Sequence, residues 1–65
     1  MTAEEIKELL RLKNWSDLRL AEELGITQSA VLKWLGGSSP GPTATKFMRQ
    51  WLAEARRKAG AAQPA

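Results

Sequence analysis

Apolar residues recur along this chain at spacings of three and four, and no stretch alternates as a strand would, so the pattern predicts helices throughout. In "TAEEIKELLRLKN", Ile6, Leu9, Leu10 and Lys13 share one face, the lysine through its aliphatic stem. Thr2 and Glu5 have the spacing of a capping box, and Asn14 is a left-handed stop. The pattern restarts in "NWSDLRLAEELG". Ser16 caps, Asp17 complements the positive helix end, and Trp15 staples over Leu20 from outside the cap. Leu20, Ala21 and Leu24 point inward, and Gly25 ends the helix.

A third helix runs from its cap Thr27 to about Leu35, with Val31, Trp34 and Leu35 inward. "GGSSPGPT" is a loop by composition, stiffened by Pro40 and Pro42. Thr43 is read as the cap of a fourth helix, "ATKFMRQWLAEARRK". On it Ala44, Phe47, Met48, Trp51, Leu52 and Ala55 span an arc of roughly 140° at 100° per residue. The folded domain is expected over 1–58, with 59–65 a disordered tail.

Only about three residues separate the second and third helices, so the two must meet at a steep angle. Ala21 lets the third helix approach closely, Gly25 supplies backbone freedom and Ile26 fills the corner. This is the helix-turn-helix arrangement, whose second helix lies in the DNA major groove.

Composition narrows the chemistry. Sixty-five residues without histidine, cysteine or tyrosine lack the usual metal ligands, the thiol nucleophile and the commonest general base. The expectation is a binding protein with no catalytic residues, no metal and no cofactor, not an enzyme. No apolar run reaches the roughly 18 residues of a membrane span. A cytoplasmic, nucleoid-associated protein is therefore expected. The net charge of +3 divides unevenly: residues 1–25 carry six acids and four bases, and residues 26–65 carry one acid, Glu54, and six bases. The −2 and +5 halves point the second part toward a polyanion.

The stretch "DLRLAEELGITQSAVLKWLGG", residues 17–37, resembles the lambda-repressor-like family of Cro and Xre type helix-turn-helix regulators. Ala21, Gly25, Ile26, Val31 and Trp34 fall on that family's small, turn and core positions, and "PT" at 42 and 43 matches its proline plus cap. The similarity covers about residues 2–55. It implies a compact all-α, four-helix domain whose third helix reads DNA, usually as a homodimer on a palindromic operator. The chain departs from the pattern in three ways. It has Asp17 where the family often has a phosphate-donating glutamine, although Arg19 lies close by. It has Leu32 where a small polar residue is common, and it lacks a fifth helix.

Gln28, Ser29, Leu32 and Lys33 line one side of the third helix, opposite Val31 and Leu35. By the resemblance that side enters the groove. Gln28 would pair with adenine, Ser29 with a base or phosphate, and Lys33 with guanine or a backbone oxygen. Leu32 would meet a thymine methyl or else pack on the second helix. Helices three and four carry no acid in their first turn, and Lys46 lies at the start of the fourth, which suits an external anion. Thr27, Thr43 and Lys46 are the expected phosphate contacts, with Ser38 and Ser39 beside them. Phe47 or Trp51 is expected at a dimer interface through helix four. The "ARRK" cluster, residues 55–58, either adds phosphate contacts or complements its helix C-terminus.

The function expected is therefore a sequence-specific double-stranded DNA-binding regulator, a small phage- or bacterial-type repressor or autoregulator acting by promoter occlusion. The alternative is a protein-interaction module, such as an antitoxin or adaptor, using the same fold toward a protein partner. A DNA-binding piece of a recombinase or terminase shares the chemistry of the first reading. The start at Met1 leans the expectation toward a stand-alone regulator.

Overall fold

A computed structural model describes residues 1–62, and these form four helices: α1 (Ala3–Lys13), α2 (Asp17–Leu24), α3 (Gln28–Leu35) and α4 (Pro42–Ala62). There is no strand among the described residues. The fold is all-helical, and none of the described helices is long and apolar enough to cross a membrane.

Each of the first three helices starts on a side chain that takes up a free backbone amide. Thr2 accepts from the Glu5 amide at 3.2 Å while Glu5 Oε1 accepts from the Thr2 amide at 2.9 Å, closing the expected capping box. Ser16 accepts from the Arg19 amide and Thr27 from the Ala30 amide, at 3.2 and 3.4 Å. The same helices also end alike. Trp15 N–H donates to the Leu10 carbonyl, Ile26 N–H to Ala21 and Ser38 N–H to Lys33, each reaching back five residues. That closure needs one residue at positive φ before the donor, and Asn14 (57°), Gly25 (71°) and Gly37 (118°) supply it. Because the donors after Asn14 and Gly25 are Trp15 and Ile26, the same turns deliver two apolar side chains to the core.

The fourth helix begins two residues earlier than its sequence implies, at Pro42 instead of Ala44. Pro42 occupies the first helical position, where its missing N–H costs nothing, and Thr45 N–H donates to the Gly41 carbonyl at 2.9 Å. Thr43 is therefore not the cap but the second residue of the helix, and Lys46 is the fifth, just beyond the first turn. The residue in the capping position, Gly41, has no side chain to offer the free amides. At its other end α4 continues through Ala62, taking in the first four residues of the expected tail, three of which are alanines of high helix propensity around Gly60. Residues 63–65 lie outside the described residues.

The core is one cluster contributed by every helix: Ile6 and Leu9 from α1, Leu20 and Ala21 from α2, Val31 from α3, Met48 and Leu52 from α4. Ala55, at 7% exposure, extends the buried face of α4. α1 packs against α4 and α3, and α2 packs against α3. Trp34 and Trp51, half-buried, pack against the cluster as their spacing predicts, and Leu12, which the inward stripe of α1 omits, joins them. Trp15 stands edge-on to Trp51 with centroids 5.6 Å apart, and Trp51 stacks on Phe47 at 6.2 Å. Arg56 clamps the far end of α4 to α1 by donating from Nε and Nη2 to the two Glu8 carboxylate oxygens, at 2.7 and 2.8 Å.

Candidate nucleic-acid interface

The geometry of α3 follows from its eight residues. Val31 is fully buried, Ala30, Trp34 and Leu35 are half-buried, and Gln28, Ser29, Leu32 and Lys33 are exposed. At 100° per residue the exposed four occupy an arc of roughly 140°, with no buried residue interrupting it. The arc offers, in order along the helix, a carboxamide, a hydroxyl, a branched apolar side chain and an ammonium group. Leu32, at 49% exposure, stands outside the core cluster, so it projects from the surface instead of packing beneath α2.

What presents this arc is the three-residue turn between α2 and α3. Gly25 adopts φ 71°, ψ 32°, a left-handed conformation, and its amide donates to the Glu22 carbonyl. Ile26 turns inward against the core, and Thr27 immediately restarts the helix as its cap. Thr27 is exposed, and its hydroxyl oxygen already serves the Ala30 amide. Its free lone pair and proton remain for another partner.

Gln28 does not stand free. Its Nε2 donates to Asp17 Oδ1 at 3.2 Å, and the same oxygen accepts from the Leu18 amide at 2.7 Å. The acid at the first position of α2 thus serves both its own helix and the first residue of α3. Arg19, the nearby cation, is engaged as well: Nε donates to Glu23 at 2.9 Å, and the guanidinium lies 5.3 Å from the Trp15 ring centroid. Lys13 Nζ sits 5.4 Å from that centroid, so its ammonium as well as its stem is committed to the tryptophan.

The remaining predicted contacts follow α3. Ser38 and Ser39 are exposed in the loop, but the Ser38 amide is spent on the Lys33 carbonyl, which leaves its hydroxyl. Thr43 and Lys46 are exposed on α4. The first turn of α4 carries no acid, as the sequence predicts. The structure thus gathers Thr27, Gln28, Ser29, Leu32 and Lys33 on one element, with Ser38, Ser39, Thr43 and Lys46 on the loop and helix that follow. Of the predicted dimer pair, Phe47 is 45% exposed, whereas Trp51 is half-buried between Trp15 and Phe47.

Three features escaped the sequence reading. The Asp17–Gln28 bond joins residues eleven apart, and its only signal is an acid where α2 begins. Arg56 of the "ARRK" cluster is taken up by Glu8, an alternative that neither reading of that cluster contained. Leu18, at 49% exposure, puts a third large apolar side chain on the surface besides Leu32 and Phe47, at the start of α2.

The resolved electrostatics belong to the α1–α4 clamp and the α1 cap. The Arg56 hydrogen bonds hold the Glu8 carboxyl below its ordinary value and raise the guanidinium above its own. The Thr2 amide does the same for Glu5. Lys33 and Lys46 take part in neither ion pair formed among the described residues. Nor do the described residues group three or more carboxylates into a metal-binding cluster. Comparison of the chain with protein-family models, with curated proteins and with solved structures finds no match in any of the three.

Proposed function

We propose that this chain is a sequence-specific double-stranded DNA-binding regulator of the helix-turn-helix, lambda-repressor-like type, a small phage- or bacterial-type repressor that occludes a promoter in the cytoplasm. The observation that carries the reading is the exposed arc of α3. Its four side chains are short or flexible, mix donors and acceptors with one apolar group, and sit behind a tight turn on a helix anchored by Val31. A helix of this width fits the major groove, where donor, acceptor and methyl patterns distinguish all four base pairs. Thr27, Ser38, Ser39, Thr43 and Lys46 supply the phosphate contacts that set the helix in register. Phe47 is the exposed tip of a helix-four surface through which two copies bind a palindrome. No chemistry is asked of the chain, which acts without metal or cofactor and is not an enzyme.

The exposed leucines and Phe47 favour one competing reading, a protein-interaction module. Salt separates the two. Affinity for a duplex falls with a log–log slope of about −0.9 per phosphate neutralised, whereas an apolar interface responds little. Titrating labelled duplex at several salt concentrations should give a slope of about −3.6, from Lys33 and Lys46 of each of the two copies. Binding with no salt dependence, or no binding at low salt, would turn the assignment to the protein-interaction module.

A further inference from the structure

We infer that α4 pairs with the α4 of a second copy, antiparallel and centred on Gln50, so that Lys46 of each copy meets Glu54 of the other. The inference rests on the two-copy reading proposed above and gives it a face, a direction and a register. At 100° per residue, Lys46, Phe47, Gln50, Ala53, Glu54 and Arg57 share an arc of roughly 120° on the side of α4 away from Met48 and Leu52. Five of the six are exposed and Glu54 is half-buried. Glu54 is the one acid after residue 25. It has Arg57 and Lys58 within one turn of its own helix, yet neither it, Lys46 nor Arg57 joins an ion pair among the described residues. The face thus carries an unpaired cation and an unpaired acid two turns apart, with an exposed aromatic ring and a small residue between them.

Such a face is complementary to itself in one arrangement. In an antiparallel pair with its two-fold axis at Gln50, positions equally far before and after Gln50 meet, so Lys46 faces the second copy's Glu54 and Phe47 faces the second copy's Ala53. Symmetry makes each contact twice. The small Ala53 lets the helix axes approach to about 8–10 Å and leaves room for the ring of Phe47. On the axis, the Gln50 carboxamide both donates and accepts, so it can bond to its own copy. A parallel pair would instead set Lys46 against Lys46 and Glu54 against Glu54, which repel. Sliding the antiparallel pair by one turn, to centre on Lys46 or on Glu54, creates the same conflict. Lys46 has three N–H donors, so it can serve the second copy's carboxylate and a phosphate together. One helix face is smaller than the roughly 800 Å² per partner of a standard interface, so the pair is weak in free solution.

The experiment measures self-association by sedimentation, without DNA, for wild type, Lys46→Glu, Glu54→Lys and the double reversal. Wild type should dimerise below about 1 mM. Each single reversal turns two attractions into two repulsions and should weaken the dimer about tenfold. The double reversal restores both pairs and should return to within about threefold of wild type. None of these positions lies in the core. A second readout fixes the register: the chain has no cysteine, so one introduced on the axis reports without background. Gln50→Cys should form a covalent dimer on mild oxidation, because facing positions on the axis come within disulfide reach. Arg49→Cys, equally exposed but turned off the face, should not. A wild type that stays monomeric at about 1 mM, a double reversal no better than the singles, or equal cross-linking at 49 and 50 overturns the inference. Any of these leaves base reading by α3 standing, whereas a dimer that behaves as expected but binds no duplex overturns that reading alone.

Discussion

The turn that aims α3 is the place where a single methyl group should discriminate most sharply. Gly25 sits at φ 71°, ψ 32°, and a Cβ built there meets nothing within 4 Å. Replacing it with alanine therefore adds no clash, and only the left-handed backbone is penalised, by about 1–2 kcal/mol. Stiffening of the unfolded chain offsets about 0.4–1 kcal/mol of this. A net loss of about 1 kcal/mol remains. Gly36, eleven residues on, is the control: it has φ −83°, and its Cβ would lie 3.4 Å from the Lys33 carbonyl and 3.5 Å from that of Leu32, ordinary contact distances. Gly36→Ala therefore keeps only the unfolded-state gain of about 0.4–1 kcal/mol.

The same chemical change should thus lower stability at one site and raise it at the other, with a difference of about 1–2 kcal/mol between the variants. Urea unfolding followed by tryptophan fluorescence reads both. In a domain of this size 1 kcal/mol corresponds to about 4–8 °C in Tm, so thermal melts should resolve the two easily. Equal effects at Gly25 and Gly36 would refute the reasoning, because they would mean that backbone conformation does not decide the cost.

Other expectations concern binding and pH. Gln28→Ala should cost about 1–3 kcal/mol on the preferred duplex and relax one base position, measurable by titrating a panel of single-base variants. Lys46→Ala should weaken all duplexes alike and make the salt slope shallower by about one unit per copy. Glu5 and Glu8 have carboxyls held below the ordinary value of 4.5 in the folded chain, so they bind protons more weakly there than when unfolded. Their stabilisation is complete above about pH 5 and should fall away as pH drops through the folded-state values. In Glu8→Gln, urea midpoints should depend less on pH across that acid range than in wild type.

How much of this was legible in the sequence depended on how local each interaction is. The caps at Thr2, Ser16 and Thr27 and the left-handed stops at Asn14 and Gly25 involve residues within five of one another, and all appear where the residue types put them. Val31 and the exposed arc of α3 follow from a single periodicity. Thr43 misled because a threonine after a proline looks like a cap, whereas proline is itself preferred at the first helical position and moves the cap back to Gly41. Arg56 was beyond a local reading, since the choice between helix end and phosphate ignores a carboxylate 48 residues away. Trp51 likewise faces Trp15, a partner that the arc of α4 could not supply, and its burial leaves Phe47 as the more exposed of the two. The Asp17–Gln28 bond needed the angle between α2 and α3, which the turn sequence constrains only to be steep.

The central claim is that the exposed arc of α3 reads base pairs, and selection from a random pool of duplex DNA tests it most directly. Sequencing the molecules that the wild-type chain enriches should reveal an inverted repeat with half-site centres about one helical turn apart, the spacing of a two-fold groove reader. A pool left unenriched in both low and moderate salt would contradict the account and redirect the search to a protein partner.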